Sequence, residues 1–143
     1  MFKNTPDVIE SLPPNCIFVF GSNTGGKHGR GAARQAYYDF GAEYWVGDGI
    51  TGQSYALPTL DEYYKQRTDE ELLASIHRFY RCATAYPALV FLMTKIGCGL
   101  AGYTEDHMKS LLFHAGCGWE LETGTSVPSN IVFPRGWDEG RLL

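Results

Sequence analysis

The sequence predicts an α/β fold of three layers, α/β/α, in which a mostly parallel mixed sheet carries helices on both faces. Three observations lead to this prediction. Segments with strand character alternate along the chain with segments of helical periodicity, beginning and ending with a strand. The strongest apolar runs are continuous, as is typical of strands that are buried on both faces. The length of 143 residues fits a single domain that spans residues 1–143.

The first predicted strand and helix follow an irregular lead-in over residues 1–15, which contains three prolines. Cys16–Phe20 is a short continuous apolar run and predicts a buried strand. Apolar residues at helical spacing then predict a helix from Ala32 to Phe40, and Gly41 stands where a C-terminal cap is expected.

The middle of the chain predicts one strand and one helix. Residues 41–59 are interpreted as a loop followed by a single short strand around Tyr55–Leu57, which Pro58 ends. Thr68 begins a capping-box pattern, and the apolar periodicity after it predicts a helix that Pro87 stops.

The last third predicts two strands that flank a helix. Leu89–Met93 is the strongest strand pattern in the chain and is expected at the centre of the sheet. Thr104 is expected to cap a helix that Gly116 ends, and Ile131–Phe133 predicts a last short strand. Residues 135–143 are interpreted as a surface tail.

Composition and charge exclude several classes of function. The formal net charge is −4, from 12 basic and 16 acidic residues, which argues against general nucleic-acid binding. The chain has no apolar segment of signal-peptide length, and no run approaches the ~20 residues of a membrane span. We therefore expect a soluble cytoplasmic protein without a membrane partner, whose four cysteines are free and buried: Cys16, Cys82, Cys98 and Cys117.

Two glycine-rich loops stand out, and each follows a predicted strand and precedes a predicted helix. They are Gly21–Gly31 and Gly97–Gly102. In parallel sheets, ligands bind outside the carboxyl ends of the strands, where both loops are expected to lie. Glycine lets a ligand approach the backbone closely, and a helix N-terminus attracts anions. The pair predicts a phosphate-containing ligand; the alternative is that the glycines serve only turns and packing.

General nucleotide motifs do not describe these loops. Gly21–Lys27 has the spacing of a P-loop, but His28 stands where Ser or Thr would bind magnesium. Gly97–Gly102 reads G-x-G-x-x-G, yet the chain after it is too short for the rest of a dinucleotide-binding fold. Neither an ATPase nor a dinucleotide-dependent enzyme is expected.

Together the loops resemble the macro domain family, the ADP-ribose-binding α/β module. In that family an Asn closes a strand, a glycine-rich loop opens a helix, and a second glycine loop follows a later strand. FGSN with GGKHGRGAA, Phe20–Ala33, resembles the first loop, and TKIGCGL, Thr94–Leu100, resembles the second. The second loop is especially similar to branches of the family that read I-G-C-G-L. The match covers residues 16–40 and 89–116 and is closest to compact bacterial and phage members.

The resemblance implies that the two loops enclose the diphosphate and distal ribose of ADP-ribose. Asn23 would bind the distal ribose, and backbone N–H groups of both loops would bind phosphate. The expected ligand-binding residues are Gly21, Ser22, Asn23, Gly25, Gly26, Gly29, Gly31 and Ala32 of the first loop, and Ile96, Gly97, Cys98, Gly99, Leu100, Ala101, Gly102 and Tyr103 of the second.

Two departures from the family limit which residue roles can be transferred to this chain. Many members recognise adenine through an Asp in a Gly-Asp-Ile-Thr segment before the first helix. Asp48 has a similar local sequence but follows that helix, so the role is not transferred to it. The I-G-C-G-L branch that removes ADP-ribose from acidic side chains has an Asp next, where this chain has Ala101.

Several side chains near the loops have both a functional and a structural interpretation. His28 is expected between ligand and solvent, where it would transfer a proton or donate to phosphate, or else be a surface residue. Lys27 would pair with phosphate, or else be solvated. Tyr103 would stack on a ring of the ligand, or else pack on the next helix. Cys98 lies at an expected helix start, which would lower a thiol pKa, but a small packing residue, typical of the family, is preferred to a nucleophile.

No metal is expected, because His107, His114 and Cys117 do not have the spacing of a zinc site. No cofactor is expected either. The resemblance implies binding of ADP-ribose or a related nucleotide diphosphate. In an enzyme it implies metal-free hydrolysis of an ADP-ribosyl ester or of ADP-ribose 1″-phosphate, with Asn23 and His28 as the catalytic residues.

Two alternatives stay open. A non-catalytic reader would bind ADP-ribose, free or on an ADP-ribosylated macromolecule, without turnover. An interaction module would have no nucleotide ligand, and the aromatic cluster of Tyr37, Tyr38, Tyr44 and Trp45 would serve as an oligomer surface.

Overall fold

A five-stranded mixed sheet forms the middle layer of the protein, in a computed structural model that describes residues 2–138. In chain order the strands are β1 (Cys16–Asn23), β2 (Gly49–Thr51), β3 (Ser54–Leu60), β4 (Val90–Met93) and β5 (Ile131–Val132). The spatial order is β2-β3-β1-β4-β5. All strands are parallel except β2, which pairs antiparallel with β3.

Helices cover both faces of the sheet, which confirms the predicted three-layer fold. They are α1 (Gly31–Asp39), α2 (Asp69–Ala85) and α3 (Glu105–Thr123). Alternate side chains of β1 point to opposite faces. Phe18 and Phe20 pack with the small residues Ala33 and Ala36 of α1. Val19 packs on the other face, in the larger core that α2 and α3 cover.

The strand order creates a crevice at the carboxyl end of β1. From β1 the chain crosses through α1 on one face and reaches β3 on one side of β1. From β3 it returns through α2 on the other face and reaches β4 on the opposite side of β1. The loops after β1 and β4 therefore diverge to opposite faces. Such a point in an open α/β sheet is where ligands bind.

Side-chain caps begin two of the three helices, as predicted. The Thr68 hydroxyl accepts from the backbone N–H of Glu71, whose carboxylate accepts from the N–H of Thr68, completing a capping box. The Thr104 hydroxyl accepts from the backbone N–H of His107 at the start of α3. Gly41, with a φ of 74°, follows the end of α1 as expected.

The predicted end of α3 at Gly116 is wrong. The helix continues to Thr123 and ends at Gly124, which adopts the left-handed conformation with a φ of 70°. Gly116 is buried, and a Cβ built on it would lie 3.2 Å from Cγ2 of Val127. Close packing, rather than helix termination, therefore explains this glycine, and the next turn buries Trp119.

The predicted sheet needs three corrections. β1 sits at its centre, while the predicted central strand, β4, lies one place towards the edge. A continuous apolar run indicates a strand that is buried on both faces. Every inner strand is buried in this way, so the pattern does not show which strand is central. β2, Gly49–Thr51, was expected to be loop. β3 does not end at Pro58 but continues to Leu60. A proline is tolerated there because β2 pairs only with Ser54–Ala56, so that side of β3 has no strand partner at position 58.

The expected tail also differs. Trp137 is buried, and its indole Nε1–H donates to Oε1 of Glu105 at 3.0 Å. Residues 139–143 lie outside the described part of the chain. The cysteines are free, but only Cys16 is buried, while Cys117 is exposed. Within residues 2–138, no helix combines the length and the apolar character that a membrane span needs.

Candidate functional site

A cleft of about 1000 Å³ opens at the carboxyl ends of β1, β3 and β4. This volume is at the upper end of the range that is usual for small-molecule sites. Both glycine-rich loops contribute to its walls, as the sequence predicts. The predicted site residues that line it are Gly21, Ser22, Asn23, Gly29, Gly31, Ala32, Ile96, Gly97, Cys98, Gly99, Leu100 and Ala101.

One wall of the cleft is the N-terminus of α1. Arg30 occupies the N-cap position in an extended conformation, and no side chain caps this helix, whereas Thr residues cap α2 and α3. Gly31, Ala32 and Ala33 form the first turn, and all three line the cleft. Backbone N–H groups in the first turn of a helix have no intrahelical acceptor and carry the positive end of the helix dipole. This wall therefore offers donors to an anion.

Asn23 ends β1 and lines the cleft, but its side chain also builds the loop. Its Nδ2 donates to the carbonyl of Lys27 at 2.8 Å, and its Oδ1 accepts from the N–H of the same residue at 3.0 Å. Ser22 donates its hydroxyl to the carbonyl of Gly47. These bonds give Asn23 a structural role, as a residue that holds a turn, beside the ribose-binding role that the resemblance implies.

The opposite wall is the loop after β4. Gly97 has a φ of 76°, and a Cβ built on it would lie 3.0 Å from Cδ2 of Tyr103 and 3.2 Å from Sδ of Met108. Its carbonyl accepts from the N–H of Tyr103 at 2.9 Å, while the N–H of Gly102 donates to the carbonyl of Gly99 at 3.1 Å. Only glycine fits at position 97 without strain, so the loop has a defined shape.

Tyr103 stands behind this wall, outside the cleft. Its hydroxyl donates to the carbonyl of Thr59 at 2.8 Å and accepts from the N–H of Arg67 at 2.8 Å. Its ring stacks on His107 of α3. Tyr103 therefore ties the second loop to β3, to the connection before α2 and to α3, which is the packing alternative. Gly102 does not line the cleft either.

His28 is not between ligand and solvent, and that expectation is wrong. Its side chain is buried, with the ring between Phe20 and Tyr44. Its Nε2 lies 2.9 Å from the carbonyl oxygen of Glu43 and 3.1 Å from that of Val46. Both partners are acceptors, so Nε2 carries the proton. The ring anchors the first loop and does not line the cleft.

Gly25 and Gly26 also lie away from the cleft. Gly26 has a φ of 71°, and a Cβ built on it would lie 2.3 Å from the carbonyl carbon of Trp45. The N–H of Trp45 donates to the carbonyl of Gly26 at 2.7 Å. A Cβ on Gly47 would lie 2.1 Å from the carbonyl oxygen of Asn23. These glycines let the segment after α1 pack against the first loop.

The charges of the cleft are mainly positive. Lys27, Arg30 and Lys95 line it together with one carboxylate, Glu105. The Nζ of Lys95 lies 3.4 Å from Oε1 of Glu105. The hydrogen bond from Trp137, with the positive charge of Lys95, lowers the pKa of the Glu105 carboxyl. An anionic ligand would meet a net positive surface although the whole chain is acidic.

The third wall was missing from the sequence interpretation. Thr59, Leu60 and Tyr64 line the cleft from the end of β3 and the connection after it. A parallel strand beside β1 brings its carboxyl end to the same edge of the sheet. A prediction of β3 that continued past Pro58 would therefore have indicated this wall. Asp48, the residue that resembles the adenine-binding motif, forms an ion pair with Arg78 of α2.

The functional interpretation of Cys98, a thiol with a lowered pKa, is wrong, and the preferred interpretation as a packing residue is supported. Burial, with the nearby Glu105 carboxylate, raises its pKa to about 11. α3 begins at Glu105, so Cys98 is not at a helix N-terminus. Its Sγ lies 3.5 Å from the carbonyl oxygen of Ile96, as expected for a packing residue. Within residues 2–138, no three His, Cys, Asp or Glu side chains form a group that could hold a metal ion.

Comparison with known proteins gives one structural likeness. No protein-family model matches the chain. No curated protein matches it either. A solved structure of a protein of unknown function from Bacteroides thetaiotaomicron is similar, with a TM-score of 0.50 and 16% sequence identity. The match covers 87% of this chain and 90% of that chain. At this level of identity the likeness indicates a shared fold alone.

Proposed function

We propose that the cleft binds ADP-ribose or a related nucleoside diphosphate, in the manner of a macro domain. The observation that carries the proposal is the uncapped N-terminus of α1, which faces a second glycine loop across the cleft. A Cβ built on Gly31 would lie 3.9 Å from Cδ1 of Leu100, so the two loops approach each other at this point. A diphosphate between them would receive backbone N–H donors from α1.

The side chains in the cleft support an anionic ligand. Lys27 and Arg30 belong to the first loop, and Lys95 lies two residues before the second. The protein has a net charge of −4, so a basic cleft is a local feature and does not reflect the composition. Focusing of positive charge in a concave site raises the local concentration of an anion.

Binding without turnover is better supported than hydrolysis. The imidazole of His28 is buried away from the cleft. Glu105 is the one carboxylate among the described residues that line it, and its lowered pKa makes it a weak base at neutral pH. We therefore favour a reader of ADP-ribose, free or attached to a macromolecule. Four free cysteines suit a reducing compartment, and we propose a cytoplasmic location.

A second candidate function is self-association or protein binding through the aromatic cluster. Tyr38 and Trp45 are about 70% exposed, and their rings join those of Tyr37 and Tyr44 in a continuous series of edge-to-face contacts. Exposed aromatic patches are typical of interfaces. Sedimentation of the wild type and of Trp45→Ala would test self-association, and a concentration-independent monomer would contradict it.

Thermal unfolding with ADP-ribose tests the main proposal, with ATP and NAD as comparators. A ligand at 100 times its Kd adds about 2.7 kcal/mol, which should raise the Tm by roughly 5–15 °C. No shift with any of the three at millimolar concentration would contradict nucleotide binding. Incubation with ADP-ribose 1″-phosphate and with an ADP-ribosylated protein, followed by product analysis, distinguishes a reader from a hydrolase.

A further inference from the structure

Tyr64 is held in an unusual backbone conformation at the edge of the cleft. Its φ is 63°, in the left-handed region that residues with a Cβ rarely adopt. The Asp61 carboxylate accepts from the N–H groups of Tyr63 and Lys65, at 2.8 and 2.9 Å. The backbone of Asp61 bonds with Tyr64 and Lys65 as well. The turn is therefore tightly hydrogen-bonded, and a strained residue in such a turn is often functional.

The ring of Tyr64 is available to a ligand. It lines the cleft and is 56% exposed. The ammonium group of Lys27 lies over the ring, 5.3 Å from its centroid. This cation–π contact shows that a π-face of Tyr64 points to a charged side chain of the first loop. A planar group entering the cleft would compete for that face and leave Lys27 free to approach a phosphate.

We propose that Tyr64 is the platform on which the base of the ligand stacks, and that the site selects bases by ring area. This inference rests on the proposed function and adds that the ligand class is nucleoside diphosphates in general. Stacking between a base and an aromatic side chain tolerates any base, because every base has a π-face. Purines stack over a larger area than pyrimidines and bind more tightly.

The carboxamide and carboxylate groups of the cleft already have partners, which argues against their reading a base edge. Asn23 is the one carboxamide among the described residues that line the cleft, and both of its polar atoms bond to Lys27. Glu105, the first residue of α3, pairs with Lys95 and accepts a hydrogen bond from Trp137. Discrimination of adenine from guanine needs side-chain or backbone groups that pair with the base edge. Among the described residues that line the cleft, no carboxamide or carboxylate is free for that purpose.

Titration calorimetry with ADP, GDP, UDP and inorganic pyrophosphate tests the inference. For the wild type we expect ADP and GDP to bind within about threefold of each other, and UDP more weakly. Tyr64→Ala should weaken ADP and GDP by about tenfold and leave pyrophosphate unchanged. Tyr64→Phe should keep the wild-type affinities. Tyr63→Ala is the matched control, because Tyr63 is the exposed neighbour on the same turn and does not line the cleft.

The outcomes separate this inference from the proposed function. If Tyr64→Ala binds ADP and pyrophosphate as tightly as the wild type does, the stacking role is wrong and diphosphate binding still stands. Rejection of GDP by more than about thirtyfold relative to ADP would overturn selection by ring area. If none of the four compounds binds to the wild type although ADP-ribose raises its Tm, this inference is wrong and the proposed function stands. If ADP-ribose gives no shift either, both are wrong.

Discussion

The side chain of Leu100 reaches across the cleft towards Gly31, so that a Cβ on the glycine would lie 3.9 Å from Cδ1 of the leucine. Leu100 is 72% exposed although it is a large apolar residue. Gly31 begins α1 with a φ of 58°. At this contact the two glycine-rich loops approach each other across the cleft that both residues line. A side chain at position 31 would therefore enter the space that we assign to the diphosphate.

Gly31→Glu should abolish binding of ADP-ribose. The added carboxylate would occupy the anion site and repel a diphosphate, and the positive φ would strain any residue with a Cβ. We expect the ligand-dependent rise in Tm to disappear while the circular dichroism spectrum stays that of a folded protein. Gly118→Glu is the control, because Gly118 is an exposed residue of α3 whose Cβ would meet open space. A ligand-dependent shift that survives in Gly31→Glu would contradict the assigned diphosphate position.

His28→Ala should lower stability and leave binding by the folded protein nearly unchanged. The substitution removes the packing of the ring between Phe20 and Tyr44 and its hydrogen bond to carbonyl groups of the segment after α1. Losing such a buried polar contact costs roughly 2 kcal/mol. Urea unfolding measures the change, and His114→Ala on the exposed side of α3 should cost little. A variant with wild-type stability and no turnover would instead support a catalytic His28.

Glu105 should make stability depend on pH below about 4.5. Its carboxyl pKa is lowered in the folded protein, mainly by the hydrogen bond from Trp137, relative to an ordinary value of 4.5. Because the pKa of this carboxyl is lower in the folded than in the unfolded protein, its ionised form stabilises the fold at any pH above the unfolded-state pKa. This stabilisation is lost as the pH falls through the folded-state pKa. The Tm difference between the wild type and Glu105→Gln should thus be largest near pH 7 and shrink in acid.

Trp137→Phe provides the control for this prediction. Phenylalanine fills most of the buried space of Trp137 but lacks the indole N–H that donates to Glu105. The Glu105→Gln substitution should then have a smaller effect at pH 7 in the Trp137→Phe background. An equal effect of the substitution at pH 3 and pH 7 would show that the carboxyl does not titrate differently in the folded and unfolded states.

Cys98 should react slowly with iodoacetamide at pH 7.5. The thiolate is the reactive form, and a pKa raised to about 11 leaves very little of it at that pH. Cys117 is exposed on α3 and should be labelled first. Peptide mass spectrometry over a time course measures both rates, and the Cys98 rate should rise steadily as the pH approaches 11. Preferential labelling of Cys98 at neutral pH would contradict its assignment as a packing residue.

Local signals in the sequence were sufficient for much of the fold. Continuous apolar runs identified β1 and β4, because burial on both faces leaves no polar alternation. The start of α2 at Thr68 and that of α3 at Thr104 were predicted by capping residues, whose hydrogen bonds span only a few positions. The two glycine-rich loops were placed at one edge of the sheet because parallel strands bring their carboxyl ends together.

Contacts between distant segments decided the rest. Gly116 lies inside α3 because Val127 packs against it, and helix propensity carries no information about that contact. His28 is buried because Glu43 and Val46, which follow α1, bring their carbonyl groups to its ring. Tyr64 lines the cleft because β3 extends past a proline at the place where the sheet has no further strand.

The sequence by itself therefore determined the order of the elements other than β2 and the presence of two glycine-rich loops at one edge of the sheet. Each of these depends on residues within a few positions of one another. Only the tertiary structure decided which side chains face the cleft. Asn23 lines it with its polar atoms already bonded, His28 does not line it, and Lys27 reaches Tyr64 there. The physical reason is that the direction of a loop side chain depends on packing and hydrogen bonds to segments remote in the chain.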